Sequence, residues 1–120
     1  MPALRDEVVM ATDVDPWDAE FEAQVGALRR HFLAGLPARR DALSAAWADC
    51  LAGIGEASWL ALRDSAHRLA GSAACYGLEM LGGQARELDR LLSGAAPCRD
   101  ADLAAPAVER VLAEVDRAID

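Results

Sequence analysis

The sequence predicts an all-α fold: an antiparallel up-and-down four-helix bundle with an additional N-terminal helical segment. Three observations predict it. Apolar residues make up 53% of the 120 positions and aromatics only 5%, so alanine and leucine, both strong helix formers, supply most of the core, where a sheet would call for Val, Ile, Thr and Tyr. Apolar positions recur at spacings of three and four through successive segments. Glycine and proline punctuate those segments, leaving connections short enough to make neighbouring helices antiparallel. The length suits one domain around one core.

Residues 1–15 carry no helical periodicity and read as a loose N-terminal extension, with the bundle occupying residues 16–120. Asp15-Pro16 is a good helix start, an acidic N-cap followed by Pro at N1. Trp17, Phe21, Val25, Leu28 and Phe32 then step by three and four. Gly35 and Pro37 predict a break or kink, followed by a second segment to about Ala52 with Leu36, Leu43, Trp47, Cys50 and Leu51 on one side. Gly53 and Gly55 mark a turn. A third helix is predicted from about Glu56 to Ala74, with Trp59, Leu62, Ala66, Leu69 and Ala73 as its inward stripe. Gly77 is its stop signal, and from about Leu78 the positions Leu78, Leu81, Ala85, Leu88 and Leu92 repeat the pattern. Ser93-Gly94 and Pro97 make the next connection. The last helix is predicted from near Asp102, with Val108, Leu112, Val115 and Ile119 facing inward.

Charge and cysteine content exclude several function classes. A formal charge of −8 and a pI of about 4.6 disfavour binding to nucleic acid or to an anionic membrane. All twelve basic residues are arginine. Cys50, Cys75 and Cys98 are odd in number and lack metal-ligand spacing, which points to a reduced cytoplasm and away from a disulfide framework. The acidic N-terminus has no apolar h-region, so no signal peptide is expected, and no apolar run approaches the ~20 residues of a membrane span.

The chemistry-bearing residue is sought first among the histidines. His67 follows the core position Ala66 and so lies about 100° around the helix from it, towards solvent. Arg63 and Asp64 precede it by one turn, and Ala70, Gly71 and Ala74 follow. A mid-helix glycine costs about 1 kcal/mol relative to alanine; Gly71 makes sense if something bulky must approach the imidazole. Across the turn at Gly77, His67 and Asp89 fall at nearly equal heights, about 15 and 18 Å from it. Asp89 follows the core position Leu88 and can lean towards the neighbouring helix. Its carboxylate could accept Nδ1–H, fix the tautomer and leave Nε2 as nucleophile. Arg63, Arg68, Arg86 and Arg90 cluster around the same level and could offset the charge of an anionic group, although for each a solvated surface is the plainer explanation. His31, after Arg29-Arg30, reads as a surface or boundary histidine. No metal-ligand set, no Glu-x-x-His di-iron pattern and no phosphate-cradling loop is present.

The run from Ala66 to Gly77, AHRLAGSAACYG, resembles the signature of the histidine-containing phosphotransfer (HPt) domain family. That signature has a histidine, an aliphatic residue two later, a Gly-Ser/Ala pair four and five later, and a second glycine ten later. Leu78, Leu81, Ala85 and Leu88-Asp89 continue the likeness, as do Phe32-Leu33, Leu36-Pro37 and Leu43 upstream, and it covers about residues 17–118. The resemblance implies a phosphocarrier rather than an enzyme, in a bacterial-type cytoplasmic phosphorelay. It implies that His67 accepts a phosphoryl group from a receiver-domain aspartyl phosphate, or from a kinase, and passes it to a response-regulator receiver. Its implied partners are receiver domains and a sensor or hybrid histidine kinase, met by a monomer. The receiver supplies Mg²⁺, so no cofactor or metal is expected on this chain. By position, His67 is the phosphoacceptor, Asp89 orients the imidazole, Arg68 and Arg86 are candidate phosphoryl contacts, and Arg63, Asp64, Ala70, Gly71 and Ala74 form the docking face.

Two departures from the family pattern matter. Ala70 stands where the family often has a lysine near the phosphoryl group. Asp89 is one methylene shorter than the family's glutamate or glutamine, which predicts a long or water-mediated contact with His67. The proline that follows the histidine in kinase dimerisation domains is absent. The competing function is a helical adaptor that docks signalling proteins without being phosphorylated; an enzyme with an unrecognised polar site ranks third.

Overall fold

The computed structural model describes residues 16–120; the N-terminal extension read over residues 1–15 lies outside them. Four helices follow in order: α1 (Pro16–Leu51), α2 (Glu56–Cys75), α3 (Glu79–Leu92) and α4 (Ala101–Ile119). No strand occurs among the described residues. The chain divides after His31 into two units. In the first, Trp17, Phe21 and Leu28 are all more than half exposed.

The second unit, Phe32–Asp120, is an up-and-down bundle. Each helix contributes one buried stripe at helical spacing. Phe32, Leu36, Leu43, Ala46 and Cys50 come from α1, and Trp59, Leu62, Ala66, Leu69 and Ala73 from α2. Leu81, Ala85, Leu88 and Leu92 come from α3, and Ala104, Val108, Val111 and Val115 from α4. Trp47 meets Trp59 edge-on at 6.2 Å between centroids, joining α1 to α2. The Arg40–Asp116 ion pair, at 2.5 Å, ties α1 to α4.

Two stop signals act through backbone geometry. At the end of α2, Gly77 adopts φ +77°, which places its N–H on Ala74 O at 3.4 Å and the Leu78 N–H on Ala73 O at 2.9 Å. Those two bonds make a Schellman cap, which favours glycine at the left-handed position. The same pair ends α1: Gly53 N–H to Cys50 O and Ile54 N–H to Asp49 O, both at 3.1 Å. At the start of α4, Asp100 Oδ1 accepts from the N–H groups of Asp102 and Leu103, so the helix opens at Ala101 rather than Asp102.

The longest connection, residues 93–100, is held by Arg99. Its guanidinium donates to Leu92 O and Cys98 O, and pairs with Glu56 at the start of α2. That pairing draws the Glu56 carboxyl below its ordinary range.

Three sequence expectations need correction. No break occurs at Gly35 or Pro37: α1 is a single helix with Pro37 inside it. Proline removes one helical hydrogen bond, but Pro37 is exposed while Phe32, Leu36 and Leu43 on either side of it enter the same core, so tertiary packing holds the helix together. Leu51 and Ile119 were expected to face inward and are 58% and 41% exposed. Each sits at the last residue of its helix, where the stripe runs past the neighbours that would cover it.

Candidate functional site

His67 lies on α2 immediately after Ala66, which is fully buried, and the one-residue step turns its side chain out to 71% exposure. Its Nδ1 is 2.9 Å from Asp89 Oδ2 on α3. A carboxylate can only accept, so Nδ1 carries the proton in this contact. The other carboxylate oxygen, Oδ1, accepts from the Ser93 hydroxyl at 3.1 Å. Ser93, Asp89 and His67 thus form a hydrogen-bonded chain, with Asp89 anchored on one side and holding the imidazole on the other. With Nδ1 engaged, Nε2 is the ring nitrogen left for chemistry.

The contact is direct, not long or water-mediated as the short side chain suggested. The same two helices also meet closely at a seam nearer the α2–α3 turn. A Cβ built on Gly82 would lie 3.3 Å from Ala74 N, 3.6 Å from Ala70 O and 3.7 Å from Ala73 Cβ. Glycine on α3 facing alanines on α2 lets the two backbones approach closely there.

Gly71, one turn beyond His67, behaves differently. It is exposed, and a Cβ there would meet no atom within 4 Å. Nothing inside the fold requires glycine at this position. Arg63, Asp64 and Ala74 share the exposed surface of α2. Ala70 does not: it is 6% exposed, with its carbonyl turned to the Gly82 seam, and this removes it from the expected docking face.

The arginines are distributed unevenly. Arg68 is tied to Asp64 one turn back, at 3.2 Å. Arg90 pairs with Glu87 at 3.5 Å. Arg86 borders a hollow with Ala74, Glu79, Gly82 and Gly83, away from the one that contains His67. That second hollow, about 410 Å³, is lined by Arg39, His67, Arg68, Gly71, Ser72, Cys75 and Tyr76. Arg39 and Ser93 are the two neighbours that sequence reasoning missed. Ser93 carried a usable signal, since it stands four residues after Asp89 on the same helical face. Arg39 carried none, because it arrives from a different helix.

Among the described residues, no group of three or more His, Cys, Asp or Glu side chains is placed to hold a metal ion, and no helix is long and apolar enough to cross a membrane. The three cysteines are unpaired, and burial pushes the Cys50 thiol above its ordinary value, which keeps it a packing group. His31 is exposed.

Comparison with curated proteins and with solved structures returned no match. A family model does match: the Hpt domain, over residues 27–120, a range that contains the whole bundle together with His67, Asp89 and Ser93. Hpt domains carry phosphoryl groups between histidine and receiver aspartate, engage receiver and kinase domains, and are not enzymes acting alone. An exposed imidazole held by a carboxylate on the neighbouring helix, within a chain that the family model covers over more than half its length, places this protein in the Hpt domain family of phosphorelay carriers.

Proposed function

We propose that His67 is the phosphoacceptor, and that Asp89 and Ser93 position it. The carrying observation is the 2.9 Å contact from His67 Nδ1 to Asp89, which keeps the proton on Nδ1 and the lone pair on Nε2. In the forward step Nε2 attacks the phosphorus of a receiver's aspartyl phosphate. The acyl P–O bond breaks with its electron pair returning to the receiver's carboxylate, and a P–N bond forms. The phosphorylated ring retains Nδ1–H, and Asp89 stabilises its positive charge. Onward transfer runs the same exchange in reverse: the P–N bond breaks as a receiver carboxylate forms the new P–O bond. In phosphoryl transfer of this kind catalysis is mostly positioning and charge stabilisation, and this chain contributes the positioned imidazole.

Gly71 supports the reading because no neighbour explains it, whereas a partner approaching His67 does. The docking surface is the exposed side of α2 formed by Arg63, Asp64, Gly71 and Ala74. A monomer in the cytoplasm, taking phosphate from a sensor or hybrid kinase's receiver and delivering it to a response regulator, is the setting that fits.

Incubation with a phosphorylated receiver tests the assignment. His67→Gln abolishes acid-labile label on this chain, while His31→Gln labels normally. Stability of the His67→Gln variant stays within about 0.5 kcal/mol of wild type, as for an exposed surface site. Label at wild-type level in His67→Gln, or label mapping to His31, overturns the assignment.

A further inference from the structure

We infer that Arg39, on α1, is a phosphoryl-contacting residue that stabilises the charge on phosphorylated His67. The inference rests on His67 being the phosphoacceptor and adds a role for a residue from a different helix.

Phosphorylating His67 places a dianionic group on the surface of a protein whose formal charge is already −8. A cation beside it is therefore worth more here than on a neutral protein. Two cationic side chains line the hollow that contains His67, Arg39 and Arg68. Both also line the adjoining hollow with Asp64, Ser65 and Leu69, so they stand together on the ridge between the two.

Their charges are not equivalent. Arg68 is engaged in an i,i+4 ion pair with Asp64 at 3.2 Å, which partly offsets its charge. Arg39 makes no ion pair among the described residues. Its guanidinium instead lies 5.1 Å from the centroid of the Phe32 ring. Phe32 is buried and packs in turn against Tyr76, with centroids 5.3 Å apart. An aromatic face attracts and orients a guanidinium without cancelling its charge. Arg39 is thus a cation held over Phe32, without an ion pair among the described residues, that lines the same hollow as His67. Arginine's planar fork suits paired contacts to phosphoryl oxygens.

A small phosphodonor isolates this contact from any receiver. With phosphoramidate, the donor P–N bond breaks, ammonia leaves with a proton from solvent, and the new P–N bond forms at His67. Arg39→Gln is expected to slow labelling about two- to fivefold, the size of one exposed charge contact, and to speed hydrolysis of the phosphohistidine by a similar factor. Arg39→Lys, which keeps the charge, retains most of both. Raising the ionic strength reduces the difference between wild type and Arg39→Gln. Labelling rate and phosphohistidine lifetime both at wild-type values in Arg39→Gln overturn the proposal. So does slowed transfer from a receiver alongside unchanged phosphoramidate labelling, since Arg39 would then contact the partner and not the phosphoryl group. Absence of label in His67→Gln in the same series confirms the acceptor independently. Label persisting in His67→Gln identifies the acceptor assignment, and not the Arg39 contact, as the failure.

Discussion

The seam between α2 and α3 and the exposed face of α2 lie within a few residues of each other, and each is marked by a glycine within a helix. At the seam, Gly82 is required from within: an added Cβ would come within 3.3 Å of Ala74 N, a backbone atom that cannot move aside without shifting α2. On the face, Gly71 has open space around it and is exposed. Glycine in a helix interior costs about 1 kcal/mol relative to alanine, and Gly82, in the first turn of α3, carries up to that. Close packing accounts for it at Gly82. At Gly71 the fold offers no return, and the reason lies in what approaches from outside. A residue that the fold explains is a structural residue; one that the fold leaves unexplained, next to an exposed nucleophile, is where function is sought. The two regions share one helix pair, and Asp89 reaches His67 across it.

The comparison is broken most forcefully at the seam. Gly82→Val should destabilise the bundle by about 1–3 kcal/mol through overpacking, read as a drop in the thermal midpoint. If the variant melts like wild type, the seam is looser than described. Removing the carboxylate comes next. Asp89→Ala should slow transfer about tenfold with a much smaller effect on stability, because it frees the ring to take either tautomer. Transfer kinetics unchanged in that variant would show that the carboxylate does not act on the imidazole.

Gly71 sharpens the contrast in the opposite direction. Gly71→Ala should stabilise the fold by up to about 1 kcal/mol, while Gly71→Arg, equally well folded, should weaken receiver docking. Wild-type receiver affinity in Gly71→Arg would remove the clearance argument. The smallest effect belongs to Ser93→Ala, which loses one hydrogen bond to Asp89. It should slow transfer about two- to threefold, in keeping with a neutral donor on a half-buried carboxylate, and Ser93→Thr should restore it.

Much of this contrast was legible in the sequence, for identifiable reasons. The buried stripes of α2 and α3 follow from periodicity, and Gly53 and Gly77 stop their helices because both caps need the left-handed conformation. The levels of His67 and Asp89 follow from counting the helical rise on either side of Gly77. What escaped depends on other parts of the chain. Pro37 reads locally as a breaker, but Phe32, Leu36 and Leu43 bury themselves on both sides of it. Ala70 looked like a surface neighbour of His67 until α3 covered it. The reach of Asp89 could not be judged from its own length, because the gap it spans depends on how closely α3 packs against α2. Arg39 comes to His67 from a helix whose register against α2 no local pattern reveals.

The account stands on one ring orientation: Nδ1 held by Asp89 and Nε2 presented to the partner. Nitrogen-15 NMR of the histidine rings, before and after phosphorylation, measures it directly. In the unmodified protein near pH 8, His67 should show a protonated Nδ1 and an unprotonated Nε2, and Asp89→Ala should mix the two tautomers. After phosphorylation, phosphorus coupling should appear at Nε2 of His67 and at no nitrogen of His31. A phosphoryl group found on Nδ1, or a proton found on Nε2 of the free ring, would contradict the account.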